Sequence, residues 1–226
     1  MEFAKRAFKG GIHPPENKLT SEKAITEIKD IALVRIPMNM AIGAPCKPTV
    51  KKGDHVDIGQ IIGEPSGIAV PIHATVSGTV KAVKAEYMGT GEMMMLVDIE
   101  NDFENTLHES VQPPVVNDYE SFVAAVKASG MVGMGGAGFP THIKMRPPAD
   151  KKPDTLLVNA MECEPYITSD ERQMIEEPKS IITGILTVLK YMEIPKAIIG
   201  IEQNKPNGLK SLEEEIARQN AQSQIE

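Results

Sequence analysis

Hydrophobic and polar positions alternate along part of the first half of the chain. Between residues 70 and 81, Val70, Ile72, Ala74, Val76, Gly78 and Val80 alternate with Pro71, His73, Thr75, Ser77, Thr79 and Lys81. A period of two is typical of a strand with one buried face. Turn residues interrupt residues 50–83 at short intervals, and a further strand is predicted over residues 94–99. Short strands at this spacing predict a small β-barrel or sandwich.

The period changes after Pro113 and Pro114. Apolar positions at i, i+3, i+4 and i+7 from Tyr119 predict an amphipathic helix, with Asn117 as its cap and Gly130 as its stop. Further along, the pattern predicts a strand over 155–159, a helix over 178–192, a strand over 196–201 and a helix from 206. Alternation of strand and helix favours a parallel α/β arrangement with right-handed crossovers.

The two later helices each have one apolar face. The faces predicted to point inward are Ile181, Ile182, Ile185, Leu189 and Met192 in the first, and Leu209, Leu212 and Ile216 in the second. Two parallel strands make an incomplete sheet, so we expect a truncated domain, and we expect the polar tail 218–226 to fray.

The fold class is therefore all-β plus α/β, with a β-rich domain over 1–112 and a partial α/β domain over 113–226.

Composition and charge exclude several classes of function. A net charge of −7 and a pI near 5.4 argue against a nucleic-acid surface, which needs clustered Lys and Arg. No apolar run approaches the ~18 residues of a membrane span, and the N-terminus lacks the apolar core of a signal peptide. We therefore expect a cytoplasmic protein. The sequence also predicts no metal or iron–sulfur site in this chain. It has only two cysteines, Cys46 and Cys163, and its five histidines lack the spacing of metal ligands.

A glycine-rich loop is the strongest chemical signal. Residues 133–144 read GMGGAGFPTHIK, with glycine at four of the first six positions and Lys144 downstream. Glycines let a ligand approach the backbone closely, and successive N–H groups form an anion-binding concavity. A surface loop is the alternative, since a GxGxxG pattern alone is weak and no strand precedes it. The extra glycine, Phe139 and Lys144 favour a phosphate or cofactor site.

An acidic segment follows the strand predicted at 155–159. Glu162 and Glu164 flank Cys163 at the carboxyl end of that strand, where open α/β sheets bind ligands. The glutamates could accept hydrogen bonds from ribose or flavin groups, act as a general acid and base, or cap the next helix. The first reading is favoured, because a phosphate loop lies upstream and no hydrolase partner has a recognisable spacing. Cys163 is a poor nucleophile candidate, since neighbouring carboxylates raise a thiol pKa.

The loop and the acidic segment together resemble the NADH-binding flavoprotein subunit of respiratory complex I, where GRGGAGFP and a lysine precede NxDExEP. Three further features make the resemblance more specific. They are the opening FKGGIHPP at residues 8–15, the β-rich segment around VKKGD at 50–54, and Cys163 between two glutamates. The chain resembles the N-terminal half of the C subunits of the Rnf complex, the ion-translocating ferredoxin:NAD oxidoreductase. That resemblance implies a barrel-sandwich hybrid domain, similar to biotinyl and lipoyl domains, followed by an incomplete flavin- and NADH-binding α/β domain.

The resemblance also implies cofactor-binding residues and no catalytic side chain. The FMN side of the site would be lined by Gly133, Gly135, Gly136, Lys144, Asn159 and Glu162. The NADH side would be formed by Ala137, Phe139 and Glu164, and Gly138 belongs to the same loop. Met134 stands where complex I has arginine, and Met161 where it has aspartate, so those polar contacts are not carried over. Biotinyl and lipoyl domains hold a modified lysine at a hairpin tip, but no lysine lies between Lys52 and Lys81, so the β-domain is expected to be structural or docking.

The implied function is electron input to a membrane-associated, ion-translocating oxidoreductase. Electrons would pass between NAD(H), FMN and two 4Fe-4S clusters, with the clusters in a part absent from this chain, and the isolated fragment is expected to be inactive. The partners would be other subunits, at the cytoplasmic face of the bacterial inner membrane, with no membrane span of its own. Two alternatives remain open: a docking or scaffold fragment of that complex, or the A-type component of sodium-pumping quinone reductase.

Overall fold

The computed structural model describes residues 14–134, 136–148 and 150–226. The chain divides into two compact units. The β unit comprises Glu27–Lys152, and the α/β unit comprises Pro153–Glu226 together with the described residues before Glu27. The domain boundary at residue 112 stays a prediction, while in this division residues 113–152 group with the β unit.

The β unit is built from two antiparallel sheets. Its strands are β1 (Leu33–Pro37), β2 (Lys47–Pro48), β3 (His55–Val56), β4 (Ile61–Glu64), β5 (Ile72–His73), β6 (Gly78–Tyr87) and β7 (Met93–Asn101). One sheet has the order β1-β7-β6-β3 and the other the order β2-β4-β5. Buried side chains from both sheets, among them Ile36, Ile62, Ile72, Val80 and Val97, share one core. Short strands around a common core agree with the sandwich predicted from the alternation.

The alternating region 70–81 is not a continuous strand. Strand pairing covers only β5 and then resumes at Gly78 with β6. Gly78 has φ +149°, and a Cβ there would lie 2.0 Å from the carbonyl oxygen of Glu100. Only glycine fits so close to a neighbouring backbone. Two-residue periodicity therefore located buried positions in this region but not the strand ends.

Two helices complete the β unit: α1 (Tyr119–Ala128) and the short α2 (Thr141–Lys144). Asp118, and not the predicted Asn117, is the N-cap of α1. Its carboxylate accepts the Ser121 N–H at 2.8 Å, and Ser121 Oγ accepts the Asp118 N–H at 3.0 Å. The hydrogen bonds from Ser121 lower the pKa of Asp118. Serine at the third helical position completes a reciprocal cap like the one usually made by Glu or Gln.

The α/β unit has two parallel strands and three helices among its described residues. Its elements are β8 (Thr155–Ala160), α3 (Ser169–Glu176), α4 (Pro178–Met192), β9 (Lys196–Ile201) and α5 (Pro206–Arg218). β8 and β9 pair in parallel, as the sequence predicted. The core contains Ile182, Ile185 and Leu189 of α4 and Leu212 of α5, with Ile181, Met192 and Ile216 packed against it. Helix α3 was missed, because its sequence SDERQMIE is polar and buries only Glu171 and Met174.

The prediction of a frayed tail was wrong. After α5, Asn220 adopts a left-handed φ of +54°, and the chain turns back toward β9. The Ala197 N–H donates to Gln224 O at 2.7 Å, and the Glu226 N–H donates to Ala197 O at 3.0 Å. Ala221 and Ile225 are buried in the same core as α4. Backbone hydrogen bonds to β9 and two buried apolar side chains therefore dock the tail beside the parallel sheet.

Candidate nucleotide-binding site

The glycine loop closes as a small hairpin within the β unit. Val132 and Pro140 form an antiparallel bridge, and the Gly133 N–H donates to Phe139 O at 2.9 Å. The loop is anchored where Gly138 O accepts the Ile42 N–H at 3.0 Å. Gly138 is buried with φ +67°, and a Cβ there would lie 3.0 Å from the Cα of Ala41. Gly138 is thus a packing glycine that fixes the loop to the sandwich.

The tip of the loop is open. Met134 is 91% exposed, and a Cβ added at Gly136 would meet no heavy atom within 4 Å. Among the described residues, none accepts a hydrogen bond from the backbone N–H of Gly136 or Ala137. Gly135 lies outside the described residues. Unpaired amides at a glycine tip are the donors that a phosphate group requires.

Lys144 places its ammonium group against this loop. It is the last residue of α2, and a Cβ on Gly133 would lie 2.8 Å from Lys144 Nζ. In the described part of the chain, no carboxylate lies within ion-pair distance of Lys144. Phe139 keeps 38% of its surface exposed beside the tip. A cation, open amides and an exposed ring lie on one loop, and these groups fit the phosphate end of a nucleotide cofactor.

His142 lies on the same short helix but is buried, with 4% exposure. Its Nδ1 has no hydrogen-bond partner among the described residues. Burial, followed by the positive charges of Lys127 and Arg146, lowers the pKa of His142. The imidazole is therefore neutral at neutral pH, and it adds no positive charge beside Lys144.

The acidic segment forms a tight turn in the α/β unit. We call residues 161–168, between β8 and α3, the acidic turn. At its start, Asn159 Oδ1 accepts the Met161 N–H at 3.0 Å, and the Glu162 N–H donates to Glu202 Oε2 at 3.0 Å. Tyr166 adopts φ +68°, which is uncommon for a side chain of this size. The turn is therefore held by several hydrogen bonds in a conformation that is rarely adopted without them.

Glu162 is buried and fully engaged. Its carboxylate accepts a hydrogen bond from Lys205 Nζ at 3.0 Å and another from the Asp170 N–H at 2.7 Å. Lys205, itself 1% exposed, also lies 3.4 Å from Glu171 Oε2. Burial alone would lower the pKa of Lys205, but the hydrogen bond and charge of Glu162 and the charge of Glu171 outweigh it and raise that pKa. Of the three readings of the glutamates, helix capping describes what the Glu162 carboxylate does here, since it caps α3.

Glu164 and Cys163 are exposed on the same turn. Cys163 Sγ lies 3.8 Å from Glu164 Oε2. Loss of solvation, followed by the negative charges of Glu162 and Glu164, raises the pKa of the nearby Asp170. The turn thus presents negative charge to solvent through Glu164, while the charge of Glu162 is neutralised inside.

The site residues predicted from sequence fall into two groups, one in each unit. The β unit contains Gly133, Gly136, Ala137, Gly138, Phe139 and Lys144, and the α/β unit contains Asn159, Glu162 and Glu164. That the two groups meet around one nucleotide stays a prediction. Sequence reasoning missed Lys18, Lys205 and Glu171, which organise the acidic turn. A lysine directly before a helix-starting proline, as at Lys205, carries no signal of burial in the sequence.

Comparisons with known proteins match both halves of the chain. Residues 6–104 match the family model of the RnfC barrel sandwich hybrid domain, and residues 126–226 match the family model of the Nuo51 FMN-binding domain. These matches show that the chain is similar to a barrel-sandwich hybrid domain in its first half and to a complex I type FMN-binding domain in its second half. They support the predicted fold class at this level.

The relatives narrow the class further. The chain is 42% identical over 217 residues to the C component of the Na(+)-translocating ferredoxin:NAD(+) oxidoreductase complex of Acetobacterium woodii. It is 35% identical over 215 residues to the proton-translocating counterpart of Clostridium ljungdahlii, and 36% identical over 212 residues to the C component of the ion-translocating oxidoreductase complex of Klebsiella pneumoniae. The alignments cover 94%, 92% and 91% of this chain. The chain is therefore homologous to the RnfC components of Rnf-type electron-transport complexes, which confirms the resemblance seen in the sequence.

The chain spans about half the length of the first two relatives, 49% and 46%, and 28% of the third. None of the helices in the described ranges is both long and apolar enough to cross a lipid bilayer. Within those ranges, no group of three or more His, Cys, Asp or Glu side chains is placed to hold a metal ion.

Proposed function

We propose that this chain binds FMN and NAD(H) as the electron-input part of an ion-translocating ferredoxin:NAD oxidoreductase. The observation that carries the proposal is the glycine loop, where the open amides at Gly136 and Ala137 belong to a hairpin whose Gly133 lies beside the Lys144 ammonium. The match of residues 126–226 to an FMN-binding domain supports the same ligand. When bound, FMN would supply the redox chemistry that connects a two-electron hydride donor to one-electron carriers.

The residues have separate tasks in this proposal. Lys144 and the open amide of Gly136, together with Gly135, hold the flavin phosphate, while Ala137 and Phe139 offer an apolar surface to the nicotinamide nucleotide. The Gly133 N–H is bonded to Phe139 O, so Gly133 shapes the hairpin beside Lys144. Gly138 fixes the loop. Asn159 accepts hydrogen bonds from FMN and Glu164 accepts them from NAD(H), because both residues are at or just beyond the carboxyl end of β8 and both are exposed. We assign Glu162 to holding the acidic turn, since Lys205 and the Asp170 amide already occupy its carboxylate.

The wider role rests on the names of the relatives, which belong to ferredoxin:NAD(+) oxidoreductase complexes. Electrons would leave through 4Fe-4S clusters outside this chain, toward other subunits at the cytoplasmic face of the membrane. The β unit would dock to those subunits. Its two-sheet architecture without a lysine at residues 53–80 favours this role over that of a prosthetic-group carrier.

A fluorescence titration tests the proposal on the 226-residue chain. FMN fluorescence should quench saturably as the chain is added. Lys144→Ala should weaken FMN binding by roughly 10- to 100-fold, the value of one charge-assisted hydrogen bond to phosphate. Lys151→Ala, an exposed lysine of the same unit, is the matched control and should bind normally. Absence of saturable quenching in the wild-type chain would instead favour the docking-fragment alternative.

A further inference from the structure

An N-terminal segment lies along the acidic turn within the α/β unit. This N-terminal strap, residues 16–25, is joined to the turn and to α3 by hydrogen bonds at both ends. The Tyr166 N–H donates to Glu16 O at 2.8 Å, and the Ile25 N–H donates to Glu176 Oε1 at 3.0 Å. Between them, the hydroxyls of Thr20 and Thr168 are 2.6 Å apart. The strap is far from the turn in sequence, so these bonds are tertiary contacts that fix the turn.

Lys18 is the centre of the strap. Its ammonium donates to three backbone carbonyls of the acidic turn: Glu162 O at 2.9 Å, Glu164 O at 2.9 Å and Ile167 O at 2.7 Å. It also lies 3.8 Å from Glu162 Oε2, and only 12% of its side chain is exposed. An ammonium group has three N–H donors, and here each one has a carbonyl acceptor.

The three carbonyls can point at one centre because Lys18 is there. Carbonyl oxygens carry partial negative charge, so three of them converging without a cation would repel one another and leave acceptors unpaired. The turn between residues 162 and 167 includes the left-handed Tyr166, a conformation that persists only where surrounding bonds enforce it. Removal of the Lys18 ammonium should therefore let the Glu164 backbone relax while β8 and α3 remain in place.

We infer that Lys18 is a positioning residue that fixes the acidic turn, and through it Glu164, for binding the nicotinamide nucleotide. This inference rests on the proposed function, in which Glu164 contacts NAD(H). Lys18 touches neither cofactor in this account. Its effect passes through the backbone of the turn, so it should change the affinity for NAD(H) and not that for FMN, whose phosphate is held by the glycine loop.

Titrations of the 226-residue chain with FMN and, separately, with NADH test the inference. Lys18→Met keeps the length of the side chain but removes its donors, and Lys23→Met, an exposed lysine on the same strap, is the matched control. We expect Lys18→Met to weaken NADH binding about 10-fold with FMN binding changed less than about twofold. Amide hydrogen exchange should accelerate at residues 162–167 and not in β8. Lys18→Arg should recover part of the NADH affinity, because it restores charge but not the tripod of donors.

The outcomes separate the two proposals. If the wild-type chain binds neither FMN nor NADH, the proposed function fails and this inference fails with it. If the wild-type chain binds both and Lys18→Met binds NADH normally, only the inference is overturned. Equal weakening of FMN and NADH binding, together with faster exchange throughout the unit, would show a general structural role for Lys18 and would also overturn the positioning role.

Discussion

The glycine loop and the acidic turn are the two halves of the predicted cofactor site, and they are built in opposite ways. Within the described residues, the loop leaves the amides at Gly136 and Ala137 unpaired and Lys144 without a carboxylate partner. The turn, by contrast, has its carbonyls bonded to Lys18 and its buried carboxylate bonded to Lys205. The loop is suited to receive an anion, while the turn uses its polar groups to hold its own shape. Binding and stability therefore depend on different residues of the same chain.

The largest effect is expected from breaking the buried ion network of the turn. Lys205→Met removes the partner of Glu162 and Glu171 and leaves two buried carboxylates without that cation. We expect a loss of about 3–5 kcal/mol in the free energy of unfolding of the α/β unit, measured by urea titration. Lys210→Met, an exposed lysine on α5 paired with Glu214, should change it by less than about 1 kcal/mol. Similar small losses in both variants would contradict the structural role of the network.

Two glycines of the loop should separate stability from binding. Gly138→Ala places a side chain at φ +67° and against the Ala41 backbone, so it should cost about 1–2 kcal/mol of stability in the β unit. Gly136→Ala meets open space and should leave stability within about 0.5 kcal/mol, yet weaken FMN binding because the methyl group blocks approach to the amides. Thermal unfolding and flavin titration measure the two effects. The reverse pattern would show that Gly136, not Gly138, fixes the loop.

The smallest effect is expected from the buried imidazole of His142. Because its pKa is lowered in the folded chain, the unfolded chain binds the proton first as the pH falls. The stability of the β unit should be full above pH ~6.5, the unfolded value, and should fall as the pH drops from there toward the folded pKa. His142→Gln should flatten this decline, measured by urea unfolding at pH values of about 7.5 and 5.5. An unchanged decline in His142→Gln would contradict the assignment.

Much of the fold could be predicted from local periodicity. The strand at 196–201 and the helix at 178–192 have continuous apolar patterns, and the structure has both at those bounds. The missed parts depend on partners distant in sequence. Helix α3 is capped by the carboxylate of Glu162 and not by its own Thr168, and few apolar residues mark it. The tail docks through Ala221 and Ile225, which an otherwise polar sequence does not reveal.

The candidate site likewise has one part that the sequence predicts and another part that depends on contacts distant in sequence. The glycine loop and Lys144 could be proposed from the sequence, because glycine spacing has a direct backbone consequence. Glu162 was expected to contact the cofactor, and its carboxylate instead bonds to Lys205, a contact that spacing along the chain cannot predict. Lys18 was also missed, since its three acceptors lie on a turn that is distant in sequence, 144 to 149 positions away.

The most direct test compares FMN with riboflavin, which lacks the phosphate. If the loop receives the phosphate, the chain should bind FMN about 100-fold or more tightly than riboflavin by fluorescence quenching, and Lys144→Ala should reduce that ratio by at least about 10-fold. Glu164→Gln should leave the ratio unchanged, because Glu164 belongs to the acidic turn. Equal affinity of the wild-type chain for FMN and riboflavin would contradict the claim that the glycine loop is the phosphate site.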